Sequence, residues 1–131
     1  MKERRKFPRV DVKYKINIIC DGSVILGAPQ DYTFHTYTEN IGLGGIKVVL
    51  EKELRVGSLL KLELFIRSKK TFPVLCKGMV VWVQKANPQG TKPDLFAVGI
   101  KFLDLCGSME AQLISDIVNS YLGGVNKSNR D

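Results

Sequence analysis

Arg4, Arg5 and Arg9, with Lys6 among them, place three guanidinium groups and an ammonium within six residues. Like charges at this density call for an anion to meet them. A guanidinium grips phosphate oxygens in pairs through its planar fork, and its flat face also stacks on a base, so arginine suits both halves of a nucleotide. Pro8 turns Phe7 away from helical dihedrals. The segment therefore reads as an extended arm. Some thirty residues on, Asn40-Ile41-Gly42-Leu43-Gly44-Gly45 carries three glycines in six positions. Glycine permits positive φ and the close approach of another group to bare backbone. On spacing alone the stretch could be only a tight turn between strands, because glycine patterns are weak signals. It is not a dinucleotide-fold fingerprint, since a strand rather than a helix follows.

These residues need a scaffold, and 131 residues are enough for one domain with a single core. Apolar residues at 44% and charged residues at 25% match an ordinary globular protein, and no apolar run reaches the length of a membrane span. The charged N-terminus lacks the apolar segment of a signal peptide, so the expected compartment is the cytosol. The formal net charge is +7; residues 1–15 hold seven basic and two acidic side chains, so most of the excess sits at one end. That favours a local anion site over a diffusely basic surface for nucleic acid, and no strand interleaves exposed aromatics with Lys or Arg. Cys20, Cys76 and Cys106 are widely spaced, which fits neither a disulfide framework nor a zinc site. The lone His35 rules out a His-pair metal motif and reads as a strand residue with one side in solvent. No paired carboxylates and no nucleophile-base arrangement stand out, so an enzyme is not expected.

Alternation at period two marks the strands. Tyr14, Ile16, Ile18 and Cys20 share one face of a strand from Lys13, and Asp21-Gly22 is expected to turn with positive φ. An irregular stretch through Gly27-Ala28-Pro29 precedes a returning strand over Asp31 to Thr38, ending just before Asn40. Ile46, Val48 and Leu50 face inward on the next strand, Arg55 to Ser58 turn, and Leu60, Leu62, Leu64 and Ile66 mark another. Residues 72–85 are apolar, with a bulge or bend expected at Gly78. Asn87 to Asp94 forms a loop, and Phe96, Val98, Ile100 and Phe102 the last strand. The period then changes to that of an amphipathic helix through Leu113, Ile114, Ile117, Val118, Tyr121 and Leu122, with Ser108 as N-cap and Gly123-Gly124 as stop.

Six or so short antiparallel strands followed by one helix suggest a small barrel. On that layout, Arg4-Arg5 through Arg9 matches the R-R-x-x-x-R element of PilZ domains, and Asn40 to Gly45 resembles their second element, [DN]-x-S-x-x-G. Val98-Gly99-Ile100-Lys101-Phe102 resembles their final-strand signature. The resemblance spans residues 3–122 and implies a six-stranded antiparallel β-barrel with one C-terminal α-helix. It divides the chain into a basic arm over 1–12, a barrel with its helix over 13–122, and a tail over 123–131. PilZ domains are bacterial receptors for cyclic di-GMP, so the resemblance implies a cytoplasmic, non-enzymatic receptor. Such a receptor needs no cofactor and acts on an effector protein, without a nucleic-acid polymer or membrane insertion. By position, Arg4, Arg5 and Arg9 would hold phosphates and guanine faces, while Asn40 and the backbone around Gly45 would meet a guanine edge. Trp82 is a further candidate for stacking on a purine, with a place in the core as the alternative. Gly42 stands where the family has serine. A neutral hydrogen bond is worth roughly 0.5–1.5 kcal/mol, so the missing hydroxyl implies affinity about two- to tenfold weaker. A second reading is a ligand-independent interaction module of the same family.

Overall fold

Alternating apolar residues build seven strands: β1 (Arg9–Val10), β2 (Lys15–Cys20), β3 (Tyr32–Gly42), β4 (Gly45–Leu50), β5 (Leu59–Arg67), β6 (Thr71–Lys85) and β7 (Phe96–Phe102). The computed structural model describes residues 9–27, 30–67, 71–103 and 114–119, and of 66, 67, 71 and 72 the backbone. The sheet runs β1-β3-β2-β5-β6-β7-β4, and a further pairing of β3 with β4 closes β2 to β7 into a six-stranded antiparallel barrel. The expected barrel is thus present, with β1 as an additional strand on β3. Ile16 and Ile18 on β2, Ile46 and Val48 on β4, Leu62 and Leu64 on β5 and Ile100 on β7 point inward and are buried. Each such side chain contributes about 1.5–3 kcal/mol by leaving water. Residues 114–119 are helical, and Ile114, Ile117 and Val118 join the same core. The predicted N-cap Ser108 and the Gly123-Gly124 stop lie outside the described residues.

The irregular stretch after β2 is part of the core as well as a connection. Val24 and Ile25 are buried beside Leu54, and Ile25 and Leu54 form an isolated bridge. Backbone bonds from Leu26 N–H to the Glu53 carbonyl (3.0 Å) and from Arg55 N–H to the Val24 carbonyl (2.8 Å) fix the two loops together. Asp21 turns the chain by a different device from the one expected. Its carboxylate accepts from the Ser23 backbone N–H at 2.8 Å and from the Ser23 hydroxyl at 2.6 Å. Among the described residues, positive φ occurs at Gly27, Gly57 and Gly90, and not at Gly22.

The bulge expected at Gly78 lies three residues later. β6 pairs regularly with β7 through Val80 and shifts register between Val80 and Trp82. Gly78 instead makes room inside the barrel, where a Cβ would come within 2.6 Å of Ile100 Cγ2 and 2.9 Å of Leu62 Cδ1.

Burial, reinforced by the neighbouring Asp21 charge, pushes the Cys20 thiol up to about 11 from its ordinary 9.0. Between those values the folded chain keeps a proton that the unfolded chain releases, so stability falls as pH rises through this window. Urea unfolding should show that loss, and Cys20→Val should flatten the slope. Identical slopes for the two proteins would refute the assignment to Cys20.

Candidate functional site

The carboxyl end of β3 carries the first site residues, and its geometry depends on one buried hydroxyl. β2 and β1 lie end to end along the same edge of β3: β2 pairs with Tyr32 to Tyr37, and β1 pairs with Ile41 and Gly42. Between them the chain breaks from the ladder, and Thr38 closes the gap. Its backbone N–H donates to the Tyr14 carbonyl at 2.9 Å. Its Oγ1 accepts from the Tyr14 N–H at 3.0 Å and donates to the Val12 carbonyl at 2.6 Å. Thr38 is fully buried, the one buried polar side chain among the described residues. The last residues of the basic arm are thereby held against the barrel, with Val10 and Val12 in the core and Arg9 facing out.

Two β-bulges then decide which side chains reach the outer wall. With Thr38 inward, strict alternation would turn Asn40 inward too. The register shift between Thr38 and Asn40 adds one residue, so Asn40 pairs with Lys47 on the outside and Ile41 with Ile46 in the core. The shift between Val80 and Trp82 does the same on β6, since Val80 is buried opposite Ile100 while Trp82 stands outside opposite Gly99. Trp82 is 37% exposed, so its alternative place in the core is corrected. Bulges re-aim side chains in this way by reversing the alternation beyond them.

Together these registers form one outer row across the barrel: Asn40 on β3, Lys47 on β4, Gly99 on β7 and Trp82 on β6. Arg9 joins at the β3 end, where its Nη1 donates to Asn40 Oδ1 at 3.3 Å. That bond is long for an N–H···O contact, so an incoming oxygen displaces it at little cost. Glu39, next to Asn40, is engaged elsewhere, with its Oε2 at 2.8 Å from Lys13 Nζ. The far end of the row depends on Gly99, where any Cβ would overlap Nε1 and Cε2 of Trp82. The indole therefore lies against bare backbone with part of its surface open to solvent.

The glycine stretch works by close approach rather than by positive φ. Gly42 ends β3 opposite Arg9 and Gly45 opens β4. A Cβ at Gly45 would run into the Ile100 carbonyl oxygen, and the Gly44 carbonyl accepts from the Phe102 N–H at 2.9 Å. The expected contribution of left-handed backbone here is thus replaced by tight packing on β7. Of the residues singled out from sequence, Arg9, Asn40 and Gly42 come together, Gly45 fixes their hairpin, and Trp82 lies along the row. Arg4 and Arg5 lie outside the described residues. Lys47, Gly99 and Thr38 were missed, because cross-strand register cannot be read along the chain; the only local signal was Gly99 among bulky strand residues.

Other surfaces are organised differently. His35 Nδ1 meets Asn17 Oδ1 at 2.7 Å, and Asn17 Nδ2 donates to Glu63 Oε1 at 3.0 Å, a polar row on another part of the barrel wall. A cavity of about 480 Å³ opens beside Cys20, Tyr32, Leu59 and Leu103, and no residue of the outer row lines it. No group of three or more His, Cys, Asp or Glu placed to hold a metal occurs among the described residues. No described helix is long and apolar enough to cross a membrane.

A six-stranded antiparallel barrel with an added arginine-bearing strand fastened beside a glycine hairpin defines the class of β-domain. The family profile of the PilZ domain matches residues 3–118, and the chain belongs to that family. No curated protein matches it in sequence. Among solved structures it is similar to the Bacillus subtilis inhibitor of motility MotI/DgrA, with a TM-score of 0.69 and 18% identity over 93% of this chain and 53% of that one. It is also similar to Escherichia coli YcgR in complex with c-di-GMP, with a TM-score of 0.66 and 14% identity over 98% of this chain and 50% of that one. A third is the K. pneumonia MrkH–c-di-GMP complex, with a TM-score of 0.67 and 14% identity over 97% of this chain and 56% of that one. The chain spans about half the length of these neighbours.

Proposed function

We propose that this domain is a cytoplasmic, non-enzymatic receptor that binds cyclic di-GMP on the outer row and passes its occupancy to an effector protein. The observation that carries the reading is the Arg9–Asn40 contact at 3.3 Å, which joins the two sequence elements across thirty residues at a bond weak enough to exchange. Cyclic di-GMP has two phosphodiester charges and two purines. Arg9 takes a phosphate, Asn40 a guanine edge, and the open surface of Trp82 a purine face. Arg4 and Arg5, just upstream of β1, complete the phosphate contacts from the arm. Ligand changes what the effector meets only through contacts that are better in one state of the receptor than in another, and the arginines provide that difference. YcgR and MrkH, whose folds this chain shares, were solved with the same ligand.

Trp82 is the single tryptophan, so fluorescence excited selectively at the indole reports on this wall. Titration with cyclic di-GMP should change its emission saturably, in step with calorimetric heat. Heat without a fluorescence change would remove Trp82 from the site. No heat at tens of micromolar ligand, with the protein shown to be folded, would remove the reading. It would favour instead the ligand-independent interaction module, to which the absent hydroxyl at Gly42 points.

A further inference from the structure

We propose that Lys47 is a phosphate-holding residue of this wall, contributing at the centre of the row the anchoring that Gly42 cannot; the inference rests on the cyclic di-GMP reading. Ile46 and Val48 are fully buried on either side of Lys47, so its side chain projects outward, half-buried. Its cross-strand partners are Asn40 and Gly99, both neutral. No carboxylate among the described residues lies within ion-pair distance of its ammonium. Lys13, by contrast, is matched with Glu39, and Lys85 with Asp94.

Strands about 4.8 Å apart put Trp82 roughly 14 Å from Asn40 along the row, with Lys47 one step from Asn40 and two from the indole. With one purine on Trp82 and one phosphate at the Arg9 guanidinium beside Asn40, the residues between the two anchors are Lys47 and Gly99, and Lys47 alone brings a side chain. Gly99 leaves the floor bare. Lys47 brings a flexible stem with three donors, able to follow a phosphodiester that a rigid fork would need aligned. The chemistry it selects is a dianionic nucleotide with its phosphates between its bases.

The test is calorimetry with cyclic di-GMP on the full chain. Lys47→Met keeps the stem and removes the charge, and should weaken binding about tenfold, the lower end for a charged hydrogen bond at an open site. Lys47→Arg should restore binding to within about threefold, since charge and donors return. Lys61→Met removes the same charge from β5, outside the row, and should change affinity by less than about twofold. If Lys47→Met binds like the wild type while Arg9→Ala does not, the role of Lys47 is overturned and the receptor reading stands. If the wild type itself gives no binding, both fall.

Discussion

Arg9→Ala is expected to weaken cyclic di-GMP binding by about 100-fold or more. A guanidinium fork makes two charge-assisted bonds to a phosphate, each worth roughly 1.5–3 kcal/mol, and about 1.4 kcal/mol corresponds to each factor of ten. Stability should hardly change. β1 is held by backbone pairing to Gly42 and Ile41, and the bond from the Arg9 side chain to Asn40 is long. Arg9→Lys should fall between the two, because it keeps the charge and loses the fork. Calorimetry beside urea unfolding separates these effects. Affinity within twofold of the wild type, in a folded Arg9→Ala protein, would show that the phosphate lies elsewhere.

Thr38→Val should be the most destabilising of these changes, at about 2–4 kcal/mol, although the two side chains have nearly the same shape. The Tyr14 N–H and the Val12 carbonyl both use the buried hydroxyl, at 3.0 and 2.6 Å. Valine leaves both backbone groups unmatched away from water, and each such group costs roughly 1–3 kcal/mol. The urea midpoint should drop accordingly. Ligand affinity should fall as well, because the clasp on Val12 and Tyr14 adds to the β1 pairing that holds Arg9 beside β3. A loss below about 0.5 kcal/mol would mean that water enters the gap and replaces it.

The barrel was legible because its inward residues repeat every second position. Leu60, Leu62 and Leu64, or Val98, Ile100 and Phe102, can satisfy that repeat only as strands with one face in a core. The site was legible in part. Arg9 and Asn40 declare their chemistry by type, their resemblance to a known pair of elements gave them a common address, and the structure brings the two into contact. What stayed hidden was everything set by register. Alternation alone sends Trp82 inward, and only the extra residue at the second bulge reverses it. Lys47 looks like any solvated strand lysine until β3 and β7 are placed beside it. The positive φ expected at Gly22 is replaced by a side-chain cap, while in the 40–45 stretch the close approach holds and the left-handed backbone does not, because the crowding of β7 is a contact that no dihedral preference reveals.

The tandem seating of two strands on one edge of β3 leaves Asp11 to Tyr14 as a spacer whose length sets the phase of β1. Side chains alternate sides with every residue, so adding or removing a single residue there would swing the guanidinium of Arg9 into the oily interior and bring Val10 to the surface. Changes of spacer length by pairs of residues keep that phase, and odd steps reverse it.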